Sequence, residues 1–170
     1  LVDQKTFIIA IAATGEFSSS RGNDVEDIVG VFNTVLTRIN MIWGPELSTQ
    51  LVLHNETDKL IWMDPNTDPY PIGNVGIEIL SRNQDVFNSR IGLNTYDIGH
   101  AMTNRCTYVG GVASGANACT DRKAGGMTCN GFGLSISTMA HEMGHQNSVS
   151  HSWDNCTGND GQRASQSSFE

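Results

Sequence analysis

The chain has 170 residues, enough for one domain with a sizeable core and too few for two of ordinary size, so residues 1–170 are expected to form a single domain. Ten Lys and Arg stand against 18 Asp and Glu, a net charge of −8 with His neutral, and so acidic a balance argues against a nucleic-acid partner. The longest purely apolar run, Phe7 to Ala13, spans seven residues, far short of the roughly 18–20 a membrane-spanning helix needs.

In chain order, Thr6 to Ala13 is apolar on both alternating faces, the pattern of a strand covered on both sides in the middle of an α/β sheet. Asn23 or Asp24 can cap a helix whose apolar residues fall at Val25, Ile28, Val29, Phe32, Val35, Leu36, Ile39 and Ile42, close to the 3.6-residue period over about five turns. Gly44-Pro45 is expected to end it. Gln50 to Leu53 reads as a second strand, so the first third makes a strand–helix–strand unit that crosses over right-handed into a parallel pair. Lys59 to Met63 reads as a further strand, Ile77 to Phe87 as a helix and Tyr96 to Met102 as a strand. Between them Asp64, Asn66 and Asp68 imitate the start of a calcium loop, but Pro69 stands where a glycine makes the sharp turn and Val75 where a bidentate Glu belongs. A plain turn-rich loop is expected there, and the sequence does not support calcium.

The second half holds 11 of the 18 glycines, from Gly99 onward, which argues for tight turns and short elements between Cys106 and Cys129. All four cysteines, Cys106, Cys119, Cys129 and Cys156, lie there too, none in C-x-x-C spacing. Structural disulfides in an oxidising compartment follow, hence a secreted or extracytoplasmic protein, with three full pairings open. The chain opens at Leu1 without a basic stretch leading into an apolar segment, and the expectation is that any targeting peptide or pro-segment is already removed.

The chemistry concentrates in residues 134 to 151, which read L-S-I-S-T-M-A-H-E-M-G-H-Q-N-S-V-S-H. His141 and His145, four apart, project from one helix face about 40° apart, so both imidazoles reach a single ion. Ile136, Met139, Ala140 and Met143 fall opposite, giving the helix a core side and a metal side. Glu142 sits about 100° round from His141, near enough to meet a metal-bound water without ligating. His151 lies about 9 Å further along a continued helix than His145, so it must return by a turn at Asn147 or Ser148. Three His and one open position is the pattern of a catalytic zinc site, since a structural zinc is closed by four protein ligands. By composition alone, H-E-x-x-H arises in a chain of this length roughly one time in 200.

H-E-M-G-H-Q-N-S-V-S-H resembles the extended zinc motif of the metzincin metallopeptidases, and the preceding Thr107 to Ala113, Cys119 and Lys123 to Gly126 resemble the reprolysin (adamalysin-like) branch, bacterial secreted members included. The resemblance implies a twisted, mostly parallel sheet with an antiparallel edge strand, a long backing helix and an active-site helix. It implies one catalytic zinc on His141, His145 and His151, Glu142 as general base, and hydrolysis of peptide bonds. It also implies a peptide substrate lying along an edge strand, taken here as Tyr96 to Met102, with His100 in it exposed and non-ligating. A monomer is expected.

The chain departs from the family pattern at three places. Ser148 replaces the motif glycine, at a cost of about 1 kcal/mol if it adopts positive φ. Ser152 stands where Asp usually follows the third His, and no Met-turn follows before Glu170, so the C-terminal subdomain is expected to be missing. If Cys119 and Cys156 pair with downstream cysteines as in reprolysins, Cys106–Cys129 is the remaining bridge. Two other readings compete: a thermolysin-like zinc protease with Glu170 as a carboxylate third ligand, and a zinc-binding interaction module without catalysis.

Overall fold

The computed structural model describes residues 3–70, 76–106, 109–129 and 136–151. Strand β1 (Lys5–Ala13) is followed by helices α1 (Gly15–Ser19) and α2 (Val25–Leu47), strand β2 (Thr49–Leu53), helix α3 (Gly76–Arg90), strands β3 (Ile98–Thr103), β4 (Gly111–Ala113) and β5 (Gly126–Cys129), and helix α4 (Ile136–Gln146). The strands form one sheet in the order β2-β1-β3-β5-β4. Its pairs are parallel except β4–β5, which is antiparallel and puts the reversed strand at an edge. This is the mostly parallel α/β fold with an antiparallel edge strand that the sequence leads one to expect.

β1 is covered on both sides only from Ile9 to Ala13, its first half, Ile8 included, being exposed apart from a half-buried Phe7, and the alternation of the covered half feeds two cores. Ile9, Ile11 and Ala13 pack with Ile28, Phe32, Val35, Leu36 and Ile39 of α2 and with Met139 and Met143 of α4. Ala10 and Ala12 face the other way, where their small side chains admit Ile79 and Phe87 of α3 and Tyr96. The α2 stripe therefore sets one layer and also braces α4, the helix that carries the metal motif.

At its start α2 is capped by Asp24, whose carboxylate accepts the N–H of Asp27 at 2.9 Å, while Asp27 accepts the N–H of Asn23 at 2.8 Å. Ile42 is half exposed rather than core, because the buried row runs Ile28, Val35, Ile39 and Trp43 and leaves it at the rim. Pro45 lies inside the helix, which runs on to Leu47 and stops at left-handed Ser48. Gly44 explains the difference: without a Cβ, the residue before a proline tolerates helical backbone.

The expected strand Lys59–Met63 is instead a 3-10 turn, Thr57–Leu60, and a single bridge from Ile61 to Ala13. β1 ends at Ala13, where Thr14 turns the chain into α1, so there is no further backbone to pair with. In the 64–70 loop, Asp64 Oδ1 accepts from the backbone and side-chain nitrogens of Asn66, both at 2.9 Å. Asp68 is turned inward, accepting the Gly15 N–H at 2.9 Å and Arg105 Nη2 at 3.1 Å. Arg105 also pairs with Glu16, tying the loop to α1 and to the end of β3. Turn chemistry and one ion-pair cluster account for these acids.

The strand expected at Tyr96 to Met102 is formed as β3, Ile98–Thr103, and it is not an edge. β3 pairs with β1 on one side and β5 on the other, and all six of its residues are buried. The antiparallel edge is β4. Cys106 and Cys129 are joined in a disulfide that ties the segment after β3 to the end of β5. Cys119 is exposed and unbonded among the described residues, while Thr107, Tyr108, Ser152, Cys156 and Glu170 lie outside them. No helix among the described residues is long and apolar enough to cross a membrane.

Candidate metal centre

α4 meets the sheet through Met139 and Met143, both buried in the core shared with β1 and α2. That fixes the helix's rotation and turns His141 and His145 outward together. The helix then ends in a complete two-bond C-terminal motif. Val149 N–H bonds Gly144 O and Ser148 N–H bonds His145 O, each at 3.0 Å, with Ser148 left-handed at φ 70°. Ser148 is thus the residue that makes the turn, in place of the motif glycine. The reversal brings His151 back over the helix end.

The three imidazoles converge. His145 Nε2 lies 3.1 Å from His141 Nε2 and 3.0 Å from His151 Nε2, and the donor atoms of the three residues all fall within 4.8 Å of one another. His145 Nδ1 lies 2.7 Å from the Val149 carbonyl, which can only accept, so Nδ1 carries the proton and Nε2 offers a lone pair. With that lone pair turned toward two further imidazole nitrogens, the three side chains form a donor set that could hold one metal ion. Zinc–nitrogen bonds of about 2.0–2.1 Å at tetrahedral angles set donors about 3.3 Å apart, close to the 3.1 and 3.0 Å that separate His145 Nε2 from the other two.

Glu142, on the same helix, is 7% exposed. Its side chain lies against β4, where a Cβ on Gly111 would come within 2.6 Å of Glu142 Cγ and 2.9 Å of the Met127 carbonyl. The edge strand can approach the helix this closely only because position 111 has no side chain. Residues 30–152 match the family described as metallo-peptidase family M12B, reprolysin-like.

The chain belongs to the reprolysin-like M12B metallopeptidases. It is a zinc metalloendopeptidase of the metzincin kind, and its histidine cluster stands at the motif that defines such enzymes. No curated protein matches the chain.

Within this reprolysin-like domain the structure brings together His141, His145 and His151, with Glu142 on the same helix beside the edge strand. His100 corrects the sequence reading: it is fully buried in an interior strand, not exposed beside a substrate. Burial is tolerated because partners distant in sequence serve both ring nitrogens, Gln146 at 3.0 Å and Thr128 at 2.8 Å. Desolvation pushes its pKa down to about 4, so the ring is neutral. Gln146, Asn117 and Gly111 also escaped the sequence reading. For Gln146 a signal was available: it shares the helix face of Met139 and Met143, and a polar residue on a buried face asks for partners.

Proposed function

We propose that His141, His145 and His151 hold one zinc ion and that Glu142 is the general base of peptide-bond hydrolysis. When bound, zinc supplies Lewis acidity toward the scissile carbonyl and brings the pKa of water down to about 7. The observation that carries the reading is the convergence of three imidazoles on the helix that also bears a buried glutamate. Glu142 accepts the proton of the attacking water and returns it to the leaving amine. Asp at this position falls one methylene short, and Gln takes no proton. His145 Nδ1–H donates to the Val149 carbonyl, which leaves the Nε2 lone pair to serve as the ligand.

A peptide would add to β4, whose inner side pairs with β5 and which runs beside Glu142. Convergence of His151 with the other two histidines favours it over Glu170 as third ligand. The Cys106–Cys129 bridge supports an oxidising, extracytoplasmic setting.

The test uses an unfolded protein as substrate. Cleavage that a chelator stops is expected, with Glu142→Gln losing turnover by at least 100-fold while zinc stays stoichiometric. His151→Ala is expected to release zinc. Wild-type turnover in Glu142→Gln would sink the mechanism, and full zinc retention in His151→Ala would return the third-ligand role to a carboxylate.

A further inference from the structure

Beneath the last turn of α4 lies a polar cluster that the hydrolytic chemistry does not use. Gln146 Nε2 donates to the carbonyls of Gly99 at 3.0 Å and Lys123 at 3.3 Å and to Asn117 Oδ1 at 3.3 Å, so its Oε1 is the acceptor. His100 Nδ1 therefore donates to Gln146 Oε1, and His100 Nε2 accepts the Thr128 hydroxyl. Both residues are 0% exposed, and each side-chain nitrogen and oxygen of the pair has a partner. Gly126 leaves the space for them: a methyl there would overlap both Gln146 Oε1 and His100 Nδ1.

Gln146 directly follows His145. Its carbonyl accepts the N–H groups of Asn117 and Ala118, each at 3.0 Å, and the His145 carbonyl accepts that of Ala116 at 2.8 Å. The main chain of residue 146 is thus anchored to the 116–118 loop, and its side chain to that loop, to Lys123 and to strand β3. A residue pinned in this way, one position from a ligand, sets the rotation of the helix end and the direction in which His145 points. An apolar side chain would serve packing against the methionines equally well; only the polar anchors require glutamine.

We propose that His100 is a positioning residue of the metal centre: through Gln146 it holds the last turn of α4 so that His145 Nε2 meets those of His141 and His151. The proposal rests on the reading of these three histidines as the zinc site. His100 itself touches neither zinc nor substrate.

The experiment measures, on the full chain, zinc affinity by competition with a chromophoric chelator, the visible spectrum of the cobalt-substituted protein, and kcat and KM. His100→Leu is expected to weaken zinc binding at least tenfold, the range for groups that orient a ligand from behind. It should also change the cobalt spectrum and lower kcat with KM unchanged. His100→Asn keeps a donor nitrogen at the position of Nδ1 and should restore most of the loss. Gln146→Met, near-isosteric and apolar, should reproduce His100→Leu, and the double variant should lose no more than the worse single one. Wild-type affinity and spectrum in His100→Leu would overturn the proposal, as would single losses that multiply in the double variant. Should His100→Leu fail to fold, Gln146→Met compared with His100→Asn decides in the same terms. Absence of zinc binding by the wild-type chain would instead overturn the zinc reading itself.

Discussion

Ser148 carries the cost of closing the metal site. At φ 70° it occupies the left-handed C-terminal position where glycine is free of the Cβ penalty, and a serine there costs about 1 kcal/mol. The turn it makes carries two backbone hydrogen bonds, Ser148 N–H to the His145 carbonyl and Val149 N–H to the Gly144 carbonyl, and it brings the Val149 carbonyl to His145 Nδ1 and His151 back over the helix. Ser148→Gly removes the steric penalty and leaves the turn's backbone bonds intact. It should stabilise the fold by about 1 kcal/mol, a rise of roughly 2–4 °C in melting temperature for a chain of this size, with zinc content unchanged. A fall in melting temperature would mean that the serine side chain contributes something its backbone does not.

At the scale of elements, the site depends on how closely strand β4 approaches helix α4. Gly111 meets Glu142, whereas a Cβ on neighbouring Gly110 would lie 3.4 Å from Thr138 Cγ2, close to ordinary contact. Gly111→Ala must therefore move the edge strand or turn the carboxylate aside, and kcat should fall at least tenfold with zinc retained; Gly110→Ala should stay near wild type. Steady-state kinetics with a zinc assay on both variants checks this, and wild-type kcat in Gly111→Ala would show that the contact does not position Glu142. What was legible beforehand is what local period encodes: the two-sided strand β1, the α2 stripe and the histidines of α4, whose geometry follows from helix spacing alone. Strand order was not legible, because β3 becomes interior only through pairing with β5, which lies more than twenty residues further on. For the same reason His100 looked exposed: its partners Thr128 and Gln146 are 28 and 46 residues away. A polar side chain in a strand is ordinarily a solvent-facing one, and only tertiary pairing reverses that.

For the molecule as a whole, the fully buried His100 ties the interior of the sheet to the helix of the metal site, and its neutrality makes that union sensitive to acid. Burial holds its folded pKa at about 4, against about 6.5 in an unfolded chain. Between those values the unfolded state binds the extra proton, so stability rises with pH there. The contribution is fully present above pH about 6.5, is lost progressively as pH falls through the window, and levels off below about 4, with a total on the order of 3 kcal/mol. His54, whose pKa burial also lowers, is present in both proteins, so the measurement is a difference. Denaturant unfolding of the metal-free wild type and of metal-free His100→Asn, at pH 7 and at pH 4, cancels the groups the two proteins share. Asparagine does not titrate, so the stability of the wild type relative to the variant should fall by about 3 kcal/mol between the two pH values. A gap that stays constant would mean that His100 accepts its proton in the folded state as readily as in the unfolded one, which a ring enclosed between β3, β5 and α4 can do only if the cluster opens to water.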